Sequence, residues 1–189
     1  MGLDAIEEKV VAALSGVSHN LDEKGLRDSN TAWTVEIKRQ LGRLGNDLGF
    51  LVCASVPPGS RGPGSWYGEY LYDLTWLHND PDGPNGGWLL DCPLALESEW
   101  HKSSAAIVDD FDKLVLARAS RRVMVFQADR LDLVREVIQH LVDRISHFRG
   151  RHRGDRYLFC GLRLDTGAAP YEFVFDLHVV ADQGEHGVG

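Results

Sequence analysis

The spacing of apolar residues changes along this chain, and that change limits the folds it can adopt. Apolar side chains recur at helical spacing in residues 3–16, which predicts an amphipathic helix. Residues 68–77 alternate instead, with aromatic side chains on one face and Asp73 on the other, as in a β-strand. Applied to the whole sequence, these patterns predict helices at about 3–16, 29–46, 103–117 and 131–148 and strands at about 50–56, 68–77, 88–100, 122–127, 156–163 and 171–181. Because Pro93 cannot donate a hydrogen bond to a ladder, the strand at 88–100 is expected to start near Leu94 or to bulge there.

The order of these elements is α, α, β, β, β, α, β, α, β, β. Three successive strands followed by helix-strand crossovers predict an α/β protein with a mixed β-sheet and helices on both of its faces. A length of 189 residues suits one domain, or one domain with an extra arm. We therefore predict an N-terminal helical arm at 1–28, an α/β domain at 29–183 and a flexible tail at 184–189.

The composition favours a folded protein in a reducing compartment. With 43% hydrophobic and 25% charged residues, the chain resembles ordinary globular proteins. The three cysteines lie in apolar runs without CxxC spacing, which argues against a zinc site. The first residues are acidic rather than typical of a signal peptide, and no apolar run reaches membrane-spanning length. These features predict a cytoplasmic protein without a membrane partner.

The charge is unevenly spread. A formal net charge of −8 counts against non-specific nucleic-acid binding, which depends on neutralising phosphates. One late segment is nevertheless basic and contains Arg149, Arg151, Arg153 and Arg156. This segment is either a solvated loop or a patch that contacts phosphates.

Three carboxylates lie where they could converge. Asp73 falls inside a predicted strand among aromatic residues, where a charge is costly unless it is paired, protonated or bound to a cation. Glu97 and Glu99 share one face of the next strand. If the two strands pair antiparallel, the three carboxylates meet, and one pKa rises unless a divalent ion compensates. Magnesium suits such oxygen ligands. The alternatives are a structural Asp73 that bonds to Ser or Arg, and glutamates on the solvent face of an edge strand.

A like-charged cluster also has a consequence for stability. Replacing one member, as in Asp73→Asn, is expected to leave the metal-free fold intact or slightly more stable, because it relieves repulsion.

Together these features resemble the PD-(D/E)XK nuclease superfamily, which has the restriction-endonuclease-like fold. The resemblance covers about residues 30–128 and rests on the helix, the three meandering strands, Asp73, the Glu97-Ser98-Glu99 tripeptide and the following helix and strand. It implies that Asp73 and Glu97 bind a metal. Glu99 would occupy the position where the superfamily usually has a lysine.

Two further residues follow from the resemblance. In some branches the lysine comes from the next helix, where Lys113 lies in this chain. Glu36 matches an acidic residue that many members bring from their first core helix. Outside the resemblance, Lys113 is expected to be a surface lysine that bridges Asp109 or Asp110 at helical spacing, and Glu36 would lie on the wet side of its helix.

The resemblance implies a nuclease that hydrolyses phosphodiester bonds with Mg²⁺ or Mn²⁺ as cofactor. Catalytic roles would belong to Asp73, Glu97, Glu99 and Lys113, and Glu36 would join the metal ligands. The alternative is an inactive protein of this fold that acts as a binding or assembly module. Candidate partners are nucleic acid, another protein and a second copy of the chain in a homodimer.

Overall fold

The computed structural model describes residues 2–56, 66–84, 87–167 and 169–181. Within these ranges the protein is α/β, with four helices and seven strands. The helices are α1 (Ala5–Glu23), α2 (Asn30–Asp47), α3 (Ser104–Leu116) and α4 (Leu131–His147). The strands are β1 (Leu51–Ala54), β2 (Trp66–Tyr67), β3 (Leu74–Asp80), β4 (Trp88–Glu99), β5 (Arg122–Ala128), β6 (Arg156–Arg163) and β7 (Glu172–Val179).

The loop between the first two predicted strands (57–65) and the predicted tail (184–189) lie outside the described residues. Of the helices that are described, none is long and apolar enough to cross a membrane.

The strands form one mixed sheet in the order β2-β1-β3-β4-β5-β6-β7. β1, β3 and β4 make an antiparallel meander, and β2 pairs parallel with β1. β5 and β6 join β4 in parallel, which requires crossovers that α3 and α4 supply. β7 returns antiparallel to β6. Because β4, β5 and β6 run the same way, the carboxyl end of β4 and the amino end of β6 lie at opposite ends of the sheet's strands.

Two apolar cores lie on the two faces of this sheet. In β4, Leu94 and Leu96 pack with residues of α1 and α2. Ala95 between them packs with residues of α3 and α4. This alternation is the period of two expected for a strand that is covered on both faces.

α1 contributes to one of these two cores. Its start is stabilised by a capping box, in which Asp4 accepts hydrogen bonds from the backbone N–H groups of Ile6 and Glu7 and Glu7 accepts one from that of Asp4. Its apolar stripe is buried together with that of α2 and with one face of the sheet. Residues of the predicted arm at 1–28 therefore pack against the region predicted as the α/β domain.

The strand predicted at 68–77 is displaced in the structure, and β3 begins one residue after Asp73. Leu71 has a φ of 65°, and Tyr70 and Tyr72 form an isolated bridge. This tight turn interrupts the alternating pattern. Asp73 thus lies at the entrance to the strand rather than inside it.

β4 contains the irregularity that its proline predicts. Leu94 pairs with Trp76, but the next pair joins Asp91 to His78, so β4 has one extra residue between the two pairs. Pro93 falls in this bulge, where its missing N–H does not break a regular ladder.

Candidate functional site

Asp73 is held against the end of β4. Leu74 pairs with Leu96, so Asp73 lies beside the following residues of β4. Its Oδ2 atom accepts hydrogen bonds from the backbone N–H of Ser98 at 2.9 Å and from the Ser98 hydroxyl at 2.8 Å. Its Oδ1 atom accepts one from Nζ of Lys38 at 3.0 Å. Both oxygens of Asp73 therefore have protein partners.

Glu97 is a buried carboxylate. Only 3% of the residue is exposed, on the face of β4 that packs against α3. Burial, and after it the negative charge of Asp73, raise the pKa of Glu97 to about 8 although the ammonium of Lys113 opposes the shift. The influence of Asp73 on this pKa shows that the two carboxylates are electrostatic neighbours.

Glu99 shares the face of Glu97 by strand alternation. Its Oε1 atom accepts a hydrogen bond from the backbone N–H of His101 at 2.6 Å. This contact stabilises the turn that leads from β4 into α3, and a different residue, Ser103, caps that helix. The structure therefore brings Asp73 and Glu97 together, while Glu99 is engaged with the following turn.

Lys113 projects from α3 toward Glu97. Its Nζ atom lies 3.6 Å from Oε2 of Glu97 and 2.6 Å from Oδ1 of Asp110. The hydrogen bond to Asp110 is the main reason why the pKa of Lys113 is raised. The lysine bridges Asp110 at helical spacing, as expected for a surface lysine, and it also contacts the buried glutamate. Its side chain is 51% exposed, so it can also reach a ligand.

Glu36 is turned toward its own helix. Its carboxylate accepts hydrogen bonds from Nε of Arg39 at 2.9 Å and from Gln40 at 3.0 Å. Burial alone would raise the pKa of Glu36, but the bonds from Arg39 and Gln40 outweigh burial and lower it. The side chain is buried, not on the wet side of α2, and its charge is already balanced by Arg39.

Lys38 is the residue that sequence reasoning missed. It is 4% exposed, and its Nζ atom contacts Oδ1 of Asp73 at 3.0 Å and Oε2 of Glu69 at 3.3 Å. Lysine is seldom buried this far unless its charge is paired. Its position directly after Ile37, a residue of the apolar stripe of α2, was the one available signal.

The two lysines form matching arrangements. Lys38 joins Asp73 to Glu69, and Lys113 joins Glu97 to Asp110. Asp73 and Glu97 therefore each have one lysine from a flanking helix, and each lysine has a second acidic partner. In the part of the chain that the structure describes, no three His, Cys, Asp or Glu residues are grouped as metal ligands.

The arginine segment lies elsewhere. It connects α4 to the amino end of β6, whereas Asp73 and Glu97 lie toward the carboxyl end of β4. Arg156 bonds to Glu7, and Arg151 donates to the backbone carbonyl of Phe148 at 2.8 Å. The structure therefore does not bring the segment, which also contains Arg149 and Arg153, to the carboxylates.

We compared the chain with known protein families, curated proteins and solved structures. No protein-family model, no curated protein and no solved structure matches the chain significantly.

Proposed function

We propose that this protein is a metal-dependent nuclease-like enzyme that hydrolyses phosphodiester bonds of nucleic acid, with Asp73 and Glu97 as the ligands of Mg²⁺ or Mn²⁺. The observation that carries the proposal is Glu97, a buried carboxylate whose pKa is raised to about 8 beside a second carboxylate. Such perturbed groups cluster at functional sites. A nearby divalent cation would favour the ionised form of Glu97, because opposite charge lowers a carboxyl pKa.

The order of elements supports the proposal. α2, β1, β3, β4, α3 and β5 follow one another along the chain as helix, three-strand meander, helix and parallel strand, with the two-residue strand β2 inserted after β1. This is the order that the PD-(D/E)XK resemblance implies. Asp73 lies at the start of the second meander strand, β3, and Glu97 near the end of the third, β4.

The donor set fits a hard divalent cation. Asp73 and Glu97 supply carboxylate oxygens, which Mg²⁺ binds while retaining several waters. When bound, the metal would lower the pKa of an attacking water and stabilise charge on the phosphoryl group. Two protein carboxylates are compatible with the absence of a three-ligand group among the described residues.

Lys113 and Glu99 have the remaining roles beside the proposed metal site. Lys113 is half exposed and lies next to Glu97, so it is placed to contact a non-bridging phosphate oxygen as charge develops there. Glu99 occupies the same face and orients the turn that carries His101. The arginine segment lies at the other end of the strands. It has no part in this proposal.

A second candidate is an inactive protein of the same fold that serves as a binding or assembly module. The observation that favours it is that both carboxylates already have a lysine partner, Lys38 for Asp73 and Lys113 for Glu97. Ion pairs of this kind satisfy the charges without any metal.

One experiment separates the two candidates. Manganese binding is measured by calorimetry for the wild type and for Glu97→Gln, beside nuclease assays on linear duplex DNA, single-stranded DNA and RNA. The enzyme proposal expects the wild type to bind manganese and cleave at least one substrate, and Glu97→Gln to do neither. Manganese binding through Glu97 without cleavage of any substrate would favour the inactive module. A wild type that binds no manganese would refute the metal site.

A further inference from the structure

The two oxygens of Asp73 are engaged in different ways. Oδ2 accepts two hydrogen bonds from Ser98, one from its backbone N–H and one from its hydroxyl. Oδ1 accepts the single contact from Nζ of Lys38 at 3.0 Å. Because Ser98 directs two donors at Oδ2, a cation that binds Asp73 without breaking the Ser98 bonds approaches Oδ1. That is the oxygen on which the ammonium of Lys38 already lies.

Lys38 is less free than Lys113 to move away from its carboxylate partner. The side chain of Lys38 is 5% exposed, whereas that of Lys113 is 51% exposed. Lys113 can turn into solvent when a ligand arrives. Lys38 has Glu69 as a second partner at 3.3 Å, and its side chain is almost fully buried, so its charge stays near Asp73.

We propose that Lys38 is a resident counter-cation that competes with a divalent metal ion for Oδ1 of Asp73. This inference rests on the proposed function, because it concerns the same metal site. In the absence of metal, Lys38 balances the charge of Asp73. When a divalent ion arrives, the positive charge of Lys38 opposes it, and the affinity of the site is weaker than its carboxylates alone would provide.

The test uses variants that remove the charge of Lys38 at nearly constant size. Lys38→Met keeps an unbranched side chain, and Lys38→Gln keeps a hydrogen-bond donor for Asp73. Lys38→Arg keeps the charge, and Lys9→Met removes one charge from an exposed position of α1. Manganese affinity is measured by calorimetry on each full-length protein, and the thermal midpoint is measured with and without manganese.

We expect both neutral variants to bind manganese at least about tenfold more tightly than the wild type, since like charges in a partly buried site repel strongly. The rise in thermal midpoint on adding manganese should grow accordingly. Lys38→Arg and Lys9→Met should bind as the wild type does. A purely structural role for Lys38 predicts the opposite sign, because damage to the site weakens metal binding.

The outcomes distinguish this inference from the proposed function. If the wild type binds manganese and both neutral variants bind it equally or more weakly, the competition is refuted and the metal site stands. If the neutral variants bind manganese and the wild type does not, the competition is supported in its strongest form. If none of these proteins binds manganese while all of them fold, both proposals are overturned. Should Lys38→Met not fold, Lys38→Gln decides the question.

Discussion

Asp73 accepts two hydrogen bonds on one oxygen from Ser98, the middle residue of the Glu97-Ser98-Glu99 tripeptide. The contact joins the entrance of β3 to the end of β4. It also means that the middle residue of the tripeptide, which has no role in the carboxylate pattern, positions the aspartate beside Glu97. The Ser98 backbone N–H provides this support whatever the side chain, and the hydroxyl adds a second bond.

This relationship changes the expectation for Asp73→Asn. From the sequence, the substitution should leave the metal-free protein intact or slightly more stable. The structure predicts a loss of about 1–3 kcal/mol in the free energy of unfolding, because the buried ammonium of Lys38 loses its closer partner. Chemical denaturation of Asp73→Asn, Lys38→Met and the double variant measures the coupling. Additive effects of the two single changes would show that the ion pair contributes nothing to stability.

The raised pKa of Glu97 predicts a pH dependence of stability. In the folded protein this pKa is about 8 against an ordinary value of 4.5, so between these limits the folded state holds a proton that the unfolded state has released. Stability contributed by Glu97 is therefore present at low pH and is lost as pH rises toward about 8. Metal-free Glu97→Gln should not lose this stability. At pH 9 its free energy of unfolding should exceed that of the wild type by roughly 2–5 kcal/mol.

Denaturant unfolding of both proteins from pH 5 to pH 9 checks this prediction, with Glu8→Gln on the exposed side of α1 as the control for removing one carboxylate. The stability difference between wild type and Glu97→Gln should widen with pH. A difference that stays constant over this range would show that Glu97 ionises normally. Saturating manganese should shrink the advantage of the variant, because metal binding stabilises the folded wild type.

Lys113→Ala tests the assignment of the second lysine. Because Lys113 is half exposed and its closest partner is Asp110, manganese affinity should change by less than about threefold, as expected for a solvent-screened pair. Cleavage should fall by about two orders of magnitude, the usual effect of losing one contact that stabilises the transition state. Lys9→Ala is the control and should cleave normally. Unchanged cleavage by Lys113→Ala would leave this lysine as a surface residue.

Gly45 lies where α2 packs closely against the sheet. A Cβ at this position would lie 2.5 Å from Nε1 of Trp76, a buried side chain that donates a hydrogen bond to the carbonyl of Leu41 at 3.1 Å. Gly45→Ala should therefore cost about 1–3 kcal/mol of stability through overpacking. Gly16→Ala in α1 is the matched control, because its Cβ would meet no atom within 4 Å. It should stabilise by up to about 1 kcal/mol. Similar stabilities for both variants would contradict the close packing of α2.

The sequence by itself determined the four helices and six of the seven strands that the structure describes, since helical and alternating periods are local properties of the chain. The short strand β2 was not predicted. The sequence also placed Glu97 and Glu99 on one face, because strand alternation needs no knowledge of neighbours. The bulge near Pro93 follows equally from a local property, the missing N–H. The sequence did not predict the displaced start of β3. The alternating pattern of residues 68–77 gives no indication that Leu71 adopts a positive φ.

The tertiary structure decided which charged residues pair across long distances in the chain, whereas the contact between Lys113 and Asp110 follows from helical spacing. Glu36 and Lys38 lie two positions apart on α2, yet Glu36 bonds within its own helix while Lys38 reaches Asp73. Arg156 pairs with Glu7, 149 residues away in the chain. Such pairs depend on how each helix is rotated and how closely it is seated on the sheet, for which glycines such as Gly45 leave room. Periodicity specifies which face a residue occupies, but the distance between two faces is a property of the packed molecule.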